Sequence, residues 1–537
     1  MYKKIMTISC FFIIIILGLF LRIYNIDKSP LWNDELMSNR FSAEHTSASM
    51  KIYKHDSTFE QFAYYAKNDP NPTFYYLLVY FYSFLFEGGK SLRFISVIFS
   101  MFSLVAFYLL ARLFFNRRNS LYALLVMAIS PFYLWYAQEA RAYSTACFFA
   151  ILVLYFFIKA IRENNIVFWF FFTLSAIFSL YTSYYTIILL IAMGIVVLLK
   201  EYRRYFKLWW ISILTIVILS LPAIFFTRSC LHIVKNGFWL PIPSFRTVFT
   251  TFSVFNFGYS PYRWEYYCGT TIFIGLLIYG AYYCYRQNKN SIKVLPILFF
   301  TPFILVYALS YLIMPIYIDR QLIVFSPLYY LLITQGLSSI KRRSSRVILS
   351  VIVLLLIGLS TINYYRGFIL WIPNGKDLYV GVHYKKDYEG LMEYVKDNLR
   401  SDDLIMVTDA QALAIAVDYF HSYFSNKKFA GIGQIFYPYA LHGFDSICAK
   451  AGLCEWELIK ESKELYVLWF KPEGVYSQKI MSGDLSSKRI WLIYSVWGRA
   501  GPLKYNYFKV RQRLLSEYKQ DLSMGKDGIF VDLYNHE

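Results

Sequence analysis

Charge is scarce in this chain. Only 16% of its 537 residues are Asp, Glu, Lys or Arg, while 57% are hydrophobic and 21% aromatic. That balance excludes an ordinary soluble globular protein of this length. The seven cysteines show no Cys/His spacing suited to zinc. The stretch after residue 365 has no glycine-rich phosphate loop. No small-residue cleavage site follows the apolar run 5–21; Arg22 and bulky residues do, so that run is expected to stay as a membrane helix. Acidic residues are outnumbered, giving a net charge of +20. The basic residues sit in short turns between apolar runs, which is a membrane-topology pattern rather than a nucleic-acid footprint.

What is present is a series of apolar runs of spanning length. Basic turns mark the cytoplasmic side. Lys3 and Lys4 place the N-terminus inside, and the next basic turn is Asn116-Arg117-Arg118. Two apolar stretches lie between them, 72–86 and 92–115, and only one can cross if both basic groups are inside. Stretch 72–86 is short, tyrosine-rich and opens at Pro72, so it is expected to be interfacial or half-inserted on the outer face. The remaining expected spans are 119–137, 142–160, 166–181, 184–199, 208–226, 269–285, 294–313, 322–338 and 347–365, which makes about eleven transmembrane helices. Residues 1–365 then form an all-α polytopic membrane domain, with a first outer loop at 24–91 and a long outer loop at 227–267. Residues 366–537 read as a small α/β domain outside the cytoplasm. A helix is predicted from Tyr388 to Leu399, with strands at Leu404–Thr408, Leu465–Phe470, Ile490–Tyr494 and Ile529–Tyr534. On this topology Cys230 with Cys268, and Cys448 with Cys454, lie where disulfides are permitted; free thiols are an equal alternative.

The parity argument also gathers chemistry on one side of the membrane. Asp34 and Glu35 follow the first span beside Trp32, where charge is costly near hydrocarbon. Glu139, Arg141, Asp319 and Arg320 reach the same face, and Arg93 starts its helix there. Carboxylates can orient and deprotonate a nucleophile. Guanidiniums can grip a phosphate in bidentate fashion. The bland reading is that each anchors a helix end or a solvated turn; four separate segments converging on one face make that less apt for the set.

Four motifs occur in order: Trp32-x-Asp34-Glu35, Asn71-Pro72-Thr73-Phe74-Tyr75-Tyr76-Leu77-Leu78, Ser91-Leu92-Arg93-Phe94-Ile95-Ser96, and Pro131-Phe132-Tyr133-Leu134-Trp135-Tyr136-Ala137-Gln138-Glu139-Ala140-Arg141-Ala142-Tyr143. Together with Tyr317-Ile318-Asp319-Arg320-Gln321-Leu322 they resemble the bacterial branch of the GT-C glycosyltransferases, the family-39-like relatives of protein O-mannosyltransferases and aminoarabinose transferases. The resemblance is specific over residues 20–190 and weak across 227–290 and the C-terminal region. It implies an integral membrane transferase that uses a polyprenyl-phosphate-linked sugar, usually with inversion. It implies Asp34 as general base and Glu35 as its orienting partner. Glu139, with Trp32, would line the acceptor side. Arg141, Arg320, Arg93 and Tyr143 fall near the donor phosphate. A divalent metal is used by some members and not by others. The family's His/Lys-Pro-Pro is here Asn71-Pro72-Thr73, so a cationic contact of relatives is replaced by an amide. The acceptor class stays open among glycan, lipid and protein, and membrane lipids surround the whole. A transporter or flippase for a lipid-linked sugar would place ionisable groups at midplane and show internal repeats. An oligosaccharide polymerase or ligase, or a non-catalytic subunit, are the other rivals; neither accounts for the Trp-x-Asp-Glu loop.

Overall fold

The computed structural model describes residues 2–29, 31–39, 41–43, 57–69, 71–86, 88–227, 240, 242–286, 290–370 and 388–398. In the C-terminal part it describes 404–407, 465–467, 489–495, 514–515, 518–526 and 529–536. The chain folds as two compact units. The first comprises Met1–Ile26, Asp69–Tyr82 and Ser91–Val382; the second comprises Asp27–Asn68, Ser83–Lys90 and His383–Glu537.

The first unit is helical. Its helices are α1 (Tyr2–Ile23), α4 (Phe74–Tyr82), α5 (Arg93–Phe114), α6 (Arg117–Ile129), α7 (Pro131–Ala137), α8 (Tyr143–Glu163), α9 (Ile166–Leu180), α10 (Thr186–Leu198), α11 (Phe206–Thr227), α12 (Phe245–Phe257), α13 (Thr270–Arg286), α14 (Asn290–Leu312), α15 (Ser326–Ser338) and α16 (Arg343–Tyr365). All eleven expected spans coincide with helices. Among the described residues, seven helices are long and apolar enough to cross a bilayer, and α6 with α7 makes an eighth, bent by 56°. The bend falls at Ser130-Pro131, where proline suits a first helical turn and cannot continue the preceding helix. The other three, α9, α10 and α15, have 15, 13 and 13 residues. Every residue of α15 from Ser326 to Leu337 is buried, so protein rather than lipid surrounds it. Helix α4 has nine residues, too few to span.

Local signals set the helix ends. The Asn116 side chain accepts from Asn119 N–H at 3.0 Å and caps α6. Helix α8 stops at Asn164, which adopts a left-handed conformation at φ 50°. Inside the region expected to be a long outer loop, α12 begins with a reciprocal capping pair, Ser244 and Thr247, and buries Thr250, Thr251, Ser253 and Asn256. Helices α13 and α15 cross at two glycines: a Cβ on Gly280 would stand 2.1 Å from the Leu332 carbonyl oxygen, and one on Gly336 would stand 2.3 Å from that of Leu276. Small residues permit this backbone approach.

Arg22 is fully buried. Its Nε donates to Ser100 Oγ at 2.7 Å, and its Nη1 donates to the Gly18 and Ala128 carbonyls, each at 3.0 Å. These bonds through Nε and Nη1 offset part of the cost of burying the charge and join α1, α5 and α6, while Nη2 has no partner among the described residues.

The second unit contains α2 (Asn33–Asn39), α3 (Thr58–Asn68), α17 (Tyr388–Asn398) and five strands: β1 (Leu404–Val407), β2 (Leu465–Val467), β3 (Arg489–Ser495), β4 (Tyr518–Lys526) and β5 (Ile529–His536). The strand order is β2-β1-β3-β5-β4. Strands β2, β1 and β3 run parallel, and β5 and β4 continue the sheet antiparallel. The four expected strands and the expected helix are all present. Strand β4 is an addition at the sheet edge. Of the suggested disulfides, Cys230, Cys448 and Cys454 lie outside the described residues; Cys268 is exposed.

Candidate active site

The first unit contains a small open cleft of about 70 Å³, formed where several helix ends meet. Asn71, Pro72 and Tyr76 line it from the start of α4. Arg141, Ala142, Tyr143 and Ala146 line it from the start of α8. The turn Thr182–Tyr185 between α9 and α10 forms a further wall, and Gln321 closes it. The main chain holds these pieces in place. Phe74 N–H donates to the Tyr181 carbonyl at 3.0 Å and so docks α4 on the turn. Ser96 Oγ donates to the carbonyls of Glu139 at 2.6 Å and Arg141 at 3.2 Å, which pins the loop before α8 to α5.

Arg141 Nη1 donates to the Tyr76 hydroxyl at 3.2 Å, and that hydroxyl donates to Asp69 Oδ1 at 3.3 Å. The same carboxylate oxygen accepts the backbone N–H and the side-chain amide of Asn71, both at 2.8 Å. One acid thus fixes both the tyrosine and the amide beside the guanidinium. Tyr185, opposite, gives its hydroxyl to the Ile316 carbonyl and lies within electrostatic reach of Arg320.

A second constellation surrounds Asp319. Its Oδ1 accepts Arg320 N–H at 2.7 Å. The Tyr259 hydroxyl bonds its carboxylate and also pairs with the Tyr136 hydroxyl. Burial pushes the Asp319 carboxyl up to about 6, against the opposing pull of Arg320 and Tyr259. Burial likewise pushes the Tyr259 phenol well above its usual range, and Asp319, Arg320 and Glu139 all act on it electrostatically. Glu139 is buried, with Trp135 Nε1–H donating to its Oε2 at 3.1 Å.

The expected residues therefore fall into distinct places. Arg141 and Tyr143 line the cleft, and Arg320 adjoins it through Gln321. Glu139 belongs with Asp319 and Tyr259. Arg93 is buried at the start of α5, donates to the Ile26 carbonyl at 2.6 Å, and is not among the residues lining the cleft. Trp32, Asp34 and Glu35 lie in the second unit at the start of α2, where Glu35 accepts the Trp32 N–H at 3.4 Å, half of a capping box. Asp34 is half-buried and Glu35 fully buried. Asp69 and the Thr182–Tyr185 turn lie outside the quoted motifs, and Tyr76 lies within one without a role assigned to it. The available signal was the Tyr-Thr-Ser-Tyr-Tyr run between two short apolar helices. Among the described residues no group of three or more His, Cys, Asp or Glu gathers to hold a metal ion.

Residues 68–226 match the family model described as dolichyl-phosphate-mannose-protein mannosyltransferase. No curated protein sequence matches the chain significantly. Solved structures do resemble it. ArnT from Cupriavidus metallidurans in the apo state shares 11% identity over 97% of both chains, with a TM-score of 0.58. The same protein bound to undecaprenyl phosphate gives 11% identity, 97% of both chains and 0.51. The archaeal oligosaccharyltransferase AglB from Archaeoglobus fulgidus, in complex with an inhibitory peptide and a dolichol-phosphate, gives 12% identity over 100% of this chain and 75% of its own, at 0.51. The fold is thus shared with ArnT and AglB, and within it residues 68–226 match the model of the dolichyl-phosphate-mannose-protein mannosyltransferase family.

Proposed function

We propose that this multi-pass membrane protein is a glycosyltransferase that moves a sugar from a polyprenyl-phosphate-linked donor to an acceptor at the outer face of the cytoplasmic membrane. The observation that carries the proposal is the cleft itself. A guanidinium, Arg141, stands among tyrosines and small hydroxyl residues at the ends of apolar helices, held by the Tyr76–Asp69 relay. That is a site for a phosphate whose tail lies in lipid. The undecaprenyl phosphate and dolichol-phosphate bound by the structural relatives support the same class of donor.

In this reading Arg141 and Arg320 balance the charge of the donor phosphate, with Tyr143 beside it. Asp34 removes a proton from the acceptor hydroxyl or amine, and Glu35 fixes the acidic pair. The acceptor atom bonds the anomeric carbon as the carbon–oxygen bond to phosphate breaks. The electron pair leaves on the polyprenyl phosphate, and the anomeric centre inverts. Glu139 and Trp32 serve the acceptor side. Arg93 has a structural part, through its bond to Ile26. The basic turns support a cytoplasmic N-terminus, with residues 366–537 outside the cytoplasm. The acceptor is a glycan, a lipid or a protein.

The test is mass spectrometry of envelope glycolipids, glycans and proteins from a deletion strain. One missing sugar, restored by the wild-type chain and not by Asp34→Asn, is the expected result. An unchanged envelope, together with no transfer from any polyprenyl-phosphate sugar in isolated membranes, would overturn the proposal.

A further inference from the structure

Among the cleft residues one polar atom is left over. Ser183 is 3% exposed and lines the cleft. Its Oγ has no hydrogen-bond partner among the described residues. Its neighbours are accounted for. Thr182 Oγ1 donates to the Phe178 carbonyl, and Tyr185 donates to Ile316. The Tyr76 hydroxyl is spent between Asp69 and Arg141. Ser179 and Thr186, one turn to either side, bond each other at 2.7 Å. The Ser183 backbone is also committed: its N–H donates to Ser179 O at 2.8 Å, and its carbonyl accepts from Thr186 N–H at 3.2 Å. The hydroxyl therefore lines the cleft with no protein partner among the described residues, so water or a ligand in the cleft completes it.

The charge of the cleft says which ligand. Arg141 is the only charged side chain among those lining it, because Asp69 lies behind Asn71 and Tyr76. Asn71 contributes no charge, and one of its two side-chain N–H donors is given to Asp69. An oxyanion beside Arg141 needs neutral donors to complete its shell, and Ser183 supplies one.

We propose that Ser183 is a ligand-binding residue whose hydroxyl donates to a phosphate oxygen of the polyprenyl carrier held by Arg141. The inference rests on the reading of the cleft as the donor-phosphate site.

The test uses the full chain in lipid nanodiscs, with undecaprenyl phosphate and undecaprenol as probes and native mass spectrometry as the readout. Ser183→Ala should weaken undecaprenyl phosphate about tenfold, within the range for a hydrogen bond to a charged group, and leave undecaprenol binding unchanged. Ser183→Thr, which keeps the hydroxyl, should recover most of the loss. Equal weakening of both probes would make Ser183 a packing residue only and overturn the proposal. So would wild-type affinity in Ser183→Ala while Arg141→Ala binds poorly, an outcome that leaves the cleft reading standing. If Arg141→Ala also binds normally, the cleft reading fails together with the role of Ser183.

Discussion

Arg141 and Tyr76, 65 positions apart, meet through a hydrogen bond of 3.2 Å. The tyrosine is in turn bonded to Asp69, so the guanidinium is oriented by a residue that touches it only through another. Arg141→Ala should raise the apparent Km for the lipid-linked donor by about tenfold to a hundredfold, the cost of losing a charge-assisted contact. Tyr76→Phe keeps the ring and removes the bridge, and should raise it only a few-fold. Steady-state kinetics with donor and acceptor varied separately check both, and an unchanged donor Km in Arg141→Ala removes that residue from the phosphate site.

Asp34→Asn should reduce transfer by at least about a hundredfold while the protein still inserts and still binds undecaprenyl phosphate, because general-base contributions are of that order. Glu35→Gln should be intermediate. Normal glycan output from Asp34→Asn would exclude it as the base.

Stability should depend on pH through Asp319. Its folded-state value is raised by burial to about 6, against about 3.8 when exposed. The native state therefore holds a proton between about pH 4 and 6 that the unfolded state has lost. Stability is greatest below this window and falls as pH rises through it, by up to ~3 kcal/mol. Asp319→Asn should flatten that slope. Thermal unfolding in detergent at pH 4, 5, 6 and 7 measures it.

The crossing of α13 and α15 has no room for a side chain at Gly280, whereas a Cβ at Gly275 meets nothing within 4 Å. Gly280→Ala should lower stability by about 1–3 kcal/mol, the usual cost of overpacking. Gly275→Ala, on the same helix, should leave the melting temperature unchanged or slightly raised.

For topology, an alkaline phosphatase fusion after Asn119 should be inactive and one after Gly258 active. The reverse pattern would make stretch 72–86 a full span.

Much of the architecture was legible because apolar runs and basic turns are strong signals. Each of the eleven expected spans falls on helix, 119–137 on the bent pair α6 and α7. Length was less legible: α15 lies wholly within protein, so its thirteen residues need not match a bilayer. Helix α12 was hidden because its buried face carries Thr250, Thr251, Ser253 and Asn256, which interrupt the apolar stripe that would have marked it. Strand β4 was missed because Lys519, Asp521 and Ser523 point outward at an edge interrupted by a bulge between Gln520 and Leu522. In the site, Arg141 was readable from its motif. Asp69 and Ser183 were not, since their parts depend on which neighbours are already bonded.

The shortness of α9 and α10 has a consequence for lipid. At about 1.5 Å per residue, 15 and 13 residues reach only ~22 and ~20 Å, against a hydrocarbon thickness of ~30 Å. Hydrophobic mismatch of this size is relieved by local thinning, so the leaflet should dimple along this flank. The turn joining the two helices forms one wall of the cleft. On the function proposed above, a prenyl head group entering the thinned region would reach the cleft without being lifted out of the bilayer.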